Sequence, residues 1–142
     1  MKTLVSILFI FFSIGIVSAQ EGAGMKFEET SFNFGEIEYN SEAQHSFKFT
    51  NTGSKPLIIR NVRPSCGCTT PEWPKNPIMP GETGEIKATY DTKREGRFHK
   101  SITVLTNIEE NGTKILYIKG VVLPKGQDAE GDAKSPVRLS DD

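Results

Sequence analysis

From about residue 26 to residue 122 the chain alternates apolar and polar positions with a period of two, the repeat of an extended strand whose successive side chains point to opposite faces. SFNFGEI sets Phe32 and Phe34 on one face, and HSFKFTNTG does the same with Phe47 and Phe49. PLIIRNVRP is rich in β-branched residues between two prolines, GEIKATYDT alternates Ile86, Ala88 and Tyr90, and RFHKSITVLTN alternates Ile102 with Val104. TKILYIKGVV closes the series. Strands are therefore predicted at about 26–34, 44–51, 56–63, 84–91, 97–106 and 114–122. No stretch carries the i, i+3, i+4, i+7 spacing of an amphipathic helix over three turns, and the punctuation is Asn-Thr-Gly, Pro-Gly, Arg-Glu-Gly and Asn-Gly. The pattern predicts an all-β chain, an immunoglobulin-like antiparallel β-sandwich of about seven strands over residues 26–123. Asn111-Gly112 is read as the tight hairpin turn between the last two strands, in preference to the glycosylation sequon Asn111-Gly112-Thr113.

The two ends break the alternation. Residues 1–19 carry Lys2, an apolar run from Leu4 to Val17, and small residues at Val17 and Ala19, the composition of a secretory signal peptide. The run is short for a bilayer span, so no membrane insertion is expected after cleavage. Residues 20–25 read as a flexible lead, and residues 124–142, nearly devoid of apolar side chains, as a disordered tail. Cleavage would remove Lys2 from the 17 basic residues and none of the 18 acidic ones, leaving a formal charge of −2. That balance argues against nucleic acid as a partner. An exported chain with only two cysteines must hold its core by burial rather than by a disulfide network.

Both cysteines fall in RPSCGCTTPEWP, residues 63–74, just beyond the third predicted strand. In a sandwich of this topology the following segment, 65–83, returns the chain to the opposite pole, with room for one short strand on the way. Three readings of Cys66-Gly67-Cys68 compete: a turn with no chemistry, which leads; a thiol or disulfide site; and a metal site. A bond between the two cysteines would close a three-residue loop, worth about 1.6 kcal/mol by chain entropy. Gly67 is read as making such a turn possible. A thiol site would need a cation beside it, for which Arg63, Arg97 and His99 are candidates. A metal site would add His99 or His45 to the thiolates, but the cysteine spacing is too short for a structural zinc site and a fourth ligand is missing. Because His99 opens the strand that pairs beside the cysteine loop, its side chain is expected to reach Cys66 or Cys68, as proton acceptor or third ligand, more closely than His45 does.

Trp73, between Pro71 and Pro74, reads as a lid packed over the open end of the sandwich, and Asp91, Arg94, Glu95 and Arg97 as a solvated charged turn. There is no serine, histidine and acid constellation, no nucleophile elbow and no glycine-rich phosphate loop, so an enzyme is not expected. Neither a catalytic residue nor a cofactor or resident metal is assigned.

FNFGEI, the long run from FKFTNTG through SITVLTN, and LYIKGVV resemble the bacterial exported family called domain of unknown function 1573. The signature Ser65-Cys66-Gly67-Cys68-Thr69, with Trp73, Pro80-Gly81 and Gly96, carries the resemblance. It implies an immunoglobulin-like sandwich similar to major sperm protein and Hydin-type domains, whose members bind other proteins. The expectation is an exported, periplasmic or secreted, non-catalytic binding or scaffolding module whose partner is another envelope or extracellular protein. The alternative is a thiol/disulfide redox or metal-binding protein using the Cys66-Gly67-Cys68 turn.

Overall fold

The computed structural model describes residues 22–127, so the leader at 1–19 and the tail beyond Gln127 lie outside the described residues. Eight strands form: β1 (Lys26–Phe27), β2 (Ser31–Ile37), β3 (Gln44–Thr50), β4 (Ile59–Pro64), β5 (Thr69–Glu72), β6 (Thr83–Tyr90), β7 (Gly96–Thr106) and β8 (Thr113–Val122). They make two four-stranded sheets, ordered β1-β3-β6-β5 and β2-β8-β7-β4. The all-β sandwich is the architecture the alternation requires, since each sheet has one apolar face to cover. Phe47, Phe49, Ile86, Ile102, Val104, Leu116, Ile118 and Val122 fill the space between the sheets with negligible exposure. Each such side chain contributes about 1.5–3 kcal/mol by leaving water. Tyr90 stacks on Phe98 across the core, with ring centroids 3.8 Å apart.

Three expectations are corrected. The first predicted strand, 26–34, is two: β1 pairs antiparallel with β3, and the chain then crosses so that β2 pairs parallel with β8 in the other sheet. The segment Glu28-Glu29-Thr30 holds no glycine or proline to announce that crossing. The loop between β7 and β8 is six residues long rather than a two-residue turn. Asn111 alone takes the left-handed conformation there, with φ 59°, while Gly112 is needed because a Cβ would strike the Ile108 carbonyl.

The third correction concerns the lead. Its described part, residues 22–25, is fastened down. The N–H groups of Ser54 and Lys55 donate to the Gly22 carbonyl at 2.7 and 3.1 Å, Gly24 N–H donates to Asn51 Oδ1 at 3.3 Å, and Met25 is buried. Its two glycines serve different needs: a Cβ on Gly24 would lie 2.7 Å from Thr52 Oγ1 and 2.8 Å from the Gly53 nitrogen, whereas Gly22 has open space around it and adopts φ 120°.

Asn51, fully buried at the end of β3, organises this pole. Its Oδ1 accepts from the N–H groups of Gly24 and Gly53, and its Nδ2 donates to the carbonyls of Lys55 and Ile78, both at 2.9 Å. Its backbone N–H donates to the Glu82 carbonyl at 2.9 Å, and its carbonyl accepts from Gly81 at 2.8 Å. Gly81, at φ 81°, is the third residue of a turn closed by Glu82 N–H on the Met79 carbonyl, with Pro80 before it, the arrangement of a type II turn.

Replacing Asn51 with Ala strands the Gly24 and Gly53 N–H groups and the Lys55 carbonyl, while the Ile78 carbonyl keeps the Leu57 N–H, so a loss of about 2–3 kcal/mol is expected in denaturant unfolding. Gly84→Ala would put a Cβ 2.5 Å from the buried Phe49 ring, and about 1–3 kcal/mol should be lost. Burial pushes the Tyr90 phenol above its ordinary 10.0, against a lowering by Arg94 and with a smaller push from Asp91. Stability should then fall as pH rises past 10.0, where the unfolded chain gives up this proton before the folded one does, and Tyr90→Phe should flatten that limb of a pH-stability profile.

Candidate functional site

β4 lies at the edge of one sheet and β5 at the edge of the other, and the chain passes between them through Ser65-Cys66-Gly67-Cys68. The cysteine motif is the corner at which the chain changes sheets. Cys66 and Cys68 are joined by a disulfide, with Cα atoms 5.2 Å apart. Backbone bonds seat the corner on both sheets: Ser65 N–H donates to the Ser101 carbonyl of β7 at 2.8 Å, and Asp91 N–H, just past β6, donates to the Cys68 carbonyl at 2.9 Å. Ser101 N–H answers on Ser65 Oγ at 3.1 Å. Cys68 is buried, as is Thr69, whose Oγ1 lies 4.0 Å from both sulfurs; Cys66 is half-buried against the core. Cys68 N–H points at Cys66 Sγ, 3.3 Å away.

Gly67 is exposed, does not adopt a positive φ, and has nothing within 4 Å of where a Cβ would stand. The corner therefore does not depend on glycine, contrary to the expectation for this turn.

The structure brings Cys66 and Cys68 together and leaves His99 apart from them. The pole is as expected, since Ser65 meets Ser101 at the start of β7's pairing with β4. But Phe98, Ile102 and Val104 point into the core, so period-two alternation turns His99 to the outer face of its sheet, where it is exposed and its ring lies 5.5 Å from that of Tyr117. Arg97 shares that outer face. His45 is engaged elsewhere: its ring stacks on Phe32 at 3.6 Å and its Nε2 lies 2.9 Å from Glu29 Oε1. The thiol and imidazole groups that a metal or activated-thiol site would combine do not converge. Trp73 does act as a cover, half-buried against the core beside the edge strand β5, with the Lys75 ammonium 3.0 Å above its ring.

A second surface was missed by the sequence reading. On the outer face of the β2-β8-β7-β4 sheet, Ile115 and Tyr117 of β8 are exposed, alternating with the buried Leu116 and Ile118. Ile58, the residue before β4, is exposed as well. Beside this row the register of β2 on β8 is interrupted between Asn33 and Glu36, with Gly35 at φ 70°. A cleft of about 390 Å³ lies there, bordered by Asn33 and Glu36 of β2, Arg97 and His99 of β7, and Lys119 of β8. His99 and Lys119 are direct cross-strand partners. The available signal was the side of the strand on which each residue falls, which the alternation already contained.

No curated protein matches the sequence. Among solved structures, a protein of unknown function from Porphyromonas gingivalis W83 is similar at 15% identity and TM-score 0.64, over 77% of this chain; the chain spans about half, 51%, of that protein. The ASH / PapD-like domain of human CEP192 is similar at 8% identity and TM-score 0.61, over 88% of this chain and 100% of that domain. The VesB protease of Vibrio cholerae is similar at 13% identity and TM-score 0.54, over 72% of this chain and 32% of the protease. At these identities the likeness is one of fold. The profile of the family described as Protein of unknown function (DUF1573) matches residues 25–122, which span the whole sandwich from Met25 to Val122, and the chain belongs to that family.

Proposed function

We propose that the protein is an exported, non-catalytic module that binds another protein of the envelope or extracellular space. The observation that carries this reading is the uncovered outer face of the β2-β8-β7-β4 sheet, where Ile58, Ile115 and Tyr117 remain in water although the opposite face of the same strands is buried. Apolar residues held on a rigid sheet suit protein contact, because little side-chain or backbone freedom is lost on docking. The signal-peptide composition of residues 1–19 supports export. The four edge strands are poorer candidates for strand addition than the face: β1 has two residues, β2 is interrupted between Asn33 and Glu36, β4 carries Pro64, and β5 has four residues including Pro71. In a pulldown from envelope extract, the exported protein is expected to retain a partner that Ile115→Ser/Tyr117→Ser loses. Retention by the variant, or turnover of a substrate by the purified protein with no partner recovered, would reject this assignment.

The disulfide supports a second reading, a reducible corner. A partner thiolate would attack the half-buried Cys66 sulfur, form a mixed disulfide and release the Cys68 thiolate; a second partner thiol would then resolve the mixed disulfide, so that the partner dithiol is oxidised as the corner is reduced. A three-residue loop adds little stability, so Cys66→Ser/Cys68→Ser is expected to lose no more than about 1.6 kcal/mol. Gly67→Ala should change stability by less than about 0.5 kcal/mol. A much larger loss in the double variant would identify the bond as a structural staple instead. Intact mass after alkylation, with and without dithiothreitol, reads the accessible thiols directly.

A further inference from the structure

The charge of the described sandwich is unevenly divided between its sheets. The strands of the β2-β8-β7-β4 sheet carry Arg60, Arg63, Arg97, Lys100, Lys114 and Lys119, against a single carboxylate, Glu36; alternation puts Arg63, Arg97 and Lys119 on the outer face, and Lys100 and Lys114 on the side of Ile102 and Leu116. The other sheet is near balance, with Lys26, Lys48 and Lys87 facing Glu72 and Glu85. This basic sheet sits in a chain whose acidic residues outnumber its basic ones, 18 to 17. The ion pairs among the described residues are His45–Glu29, Lys87–Glu72 and Arg94–Asp91, and none of them uses a cation of the basic sheet.

We infer that the outer face of this sheet receives an acidic, partly apolar segment of a partner protein, with a carboxylate of that segment held at the cleft between Arg97 and Lys119. This inference rests on the binding-module reading above and names the chemistry of its partner. Arg97 and Lys119 stand on neighbouring strands at the mouth of the cleft, each without an ion pair among the described residues, so a carboxylate entering between them gains two charge-assisted contacts and displaces no salt bridge of the described sandwich. Glu36 on the same rim opposes a bulky polyanion while leaving room for one carboxylate nearer the two cations. Tyr117 and Ile115 continue along β8 from Lys119 on the same face, so apolar residues of the segment meet apolar side chains while its acidic residues meet the cleft. A lipid surface fits less well, because these apolar side chains stand on a broad sheet face instead of on a projecting loop or helix that could insert.

The test uses the exported protein and a labelled Glu-Leu-Glu-Leu-Glu peptide, with Gln-Leu-Gln-Leu-Gln as its neutral counterpart, read by anisotropy and by backbone amide shifts. The acidic peptide should bind at least about tenfold more tightly than the neutral one, and Arg97→Gln/Lys119→Gln should remove about that advantage. Lys26→Gln/Lys48→Gln, on the other sheet, should not. Amide shifts should gather at residues 33–36, 97–99 and 117–121. Equal binding of the two peptides, no saturable binding of either, indifference to Arg97→Gln/Lys119→Gln in a variant with unchanged melting temperature, or preferential binding of phosphatidylglycerol vesicles or duplex DNA through the same two residues would each overturn the inference. If the envelope partner is captured equally by wild type and by Arg97→Gln/Lys119→Gln but lost by Ile115→Ser/Tyr117→Ser, the anionic site falls and the binding module stands.

Discussion

The hydrogen-bond hub at Asn51 is the constraint on which one whole pole of this domain depends. A buried amide has two donors and an acceptor of two lone pairs, and here all four positions are taken by backbone groups from separate segments: Gly24, Gly53, Lys55 and Ile78. The Gly24 and Gly53 N–H groups and the Lys55 carbonyl have no strand ladder to satisfy them at this point, whereas the Ile78 carbonyl also accepts from the Leu57 N–H at 2.8 Å. The side chain therefore substitutes for secondary structure, and water, which would otherwise have to reach these groups, is kept from the core. Placing the entry of the chain, the end of β3 and the start of β6 relative to one another also places Phe49 and Gly84 face to face, which seats the aromatic layer of the first sheet.

At the opposite pole a different device does comparable work with backbone alone. The passage from β4 to β5 needs the chain to leave one sheet and join the other within four residues, 65–68, and it is the bonds from Ser65 to Ser101 and from Asp91 to Cys68 that define the two landing points. The disulfide spans the bend between them and adds a covalent constraint where the chain belongs to neither sheet. Because the corner is held from both sides, its chemistry can change without the sheets having to come apart.

Much of this was readable beforehand, for a definite reason. Period-two patterns of Phe, Ile and Val identify a strand and its buried face together, so Phe47, Phe49, Ile86, Ala88, Ile102 and Val104 were placed correctly and the sandwich followed. The same rule places His99 outward once Phe98 and Ile102 are known to point inward; the error lay in using its position along the strand and not its side. What the pattern could not contain were convergences between distant segments. Asn51 looks like an ordinary turn residue in Asn-Thr-Gly until Gly24 and Ile78, each 27 residues away, are brought to it. The glycines of the lead suggested freedom, whereas Gly24 permits contact too close for any side chain, a distinction made only by what stands opposite it. Likewise, charge summed over the chain concealed a basic sheet beside a balanced one.

The parallel pairing of β2 with β8 has a mechanical consequence. These are the first long strand and the last strand of the domain, and they point the same way, so tension that draws Ser31 backward and Val122 forward pulls the two strands past each other along their common axis. The inter-strand hydrogen bonds are then loaded side by side, and several must rupture together, whereas an antiparallel pair pulled from one end would open bond by bond. Force applied across those two strand ends is therefore resisted by the ladder as a whole and not by one bond at a time.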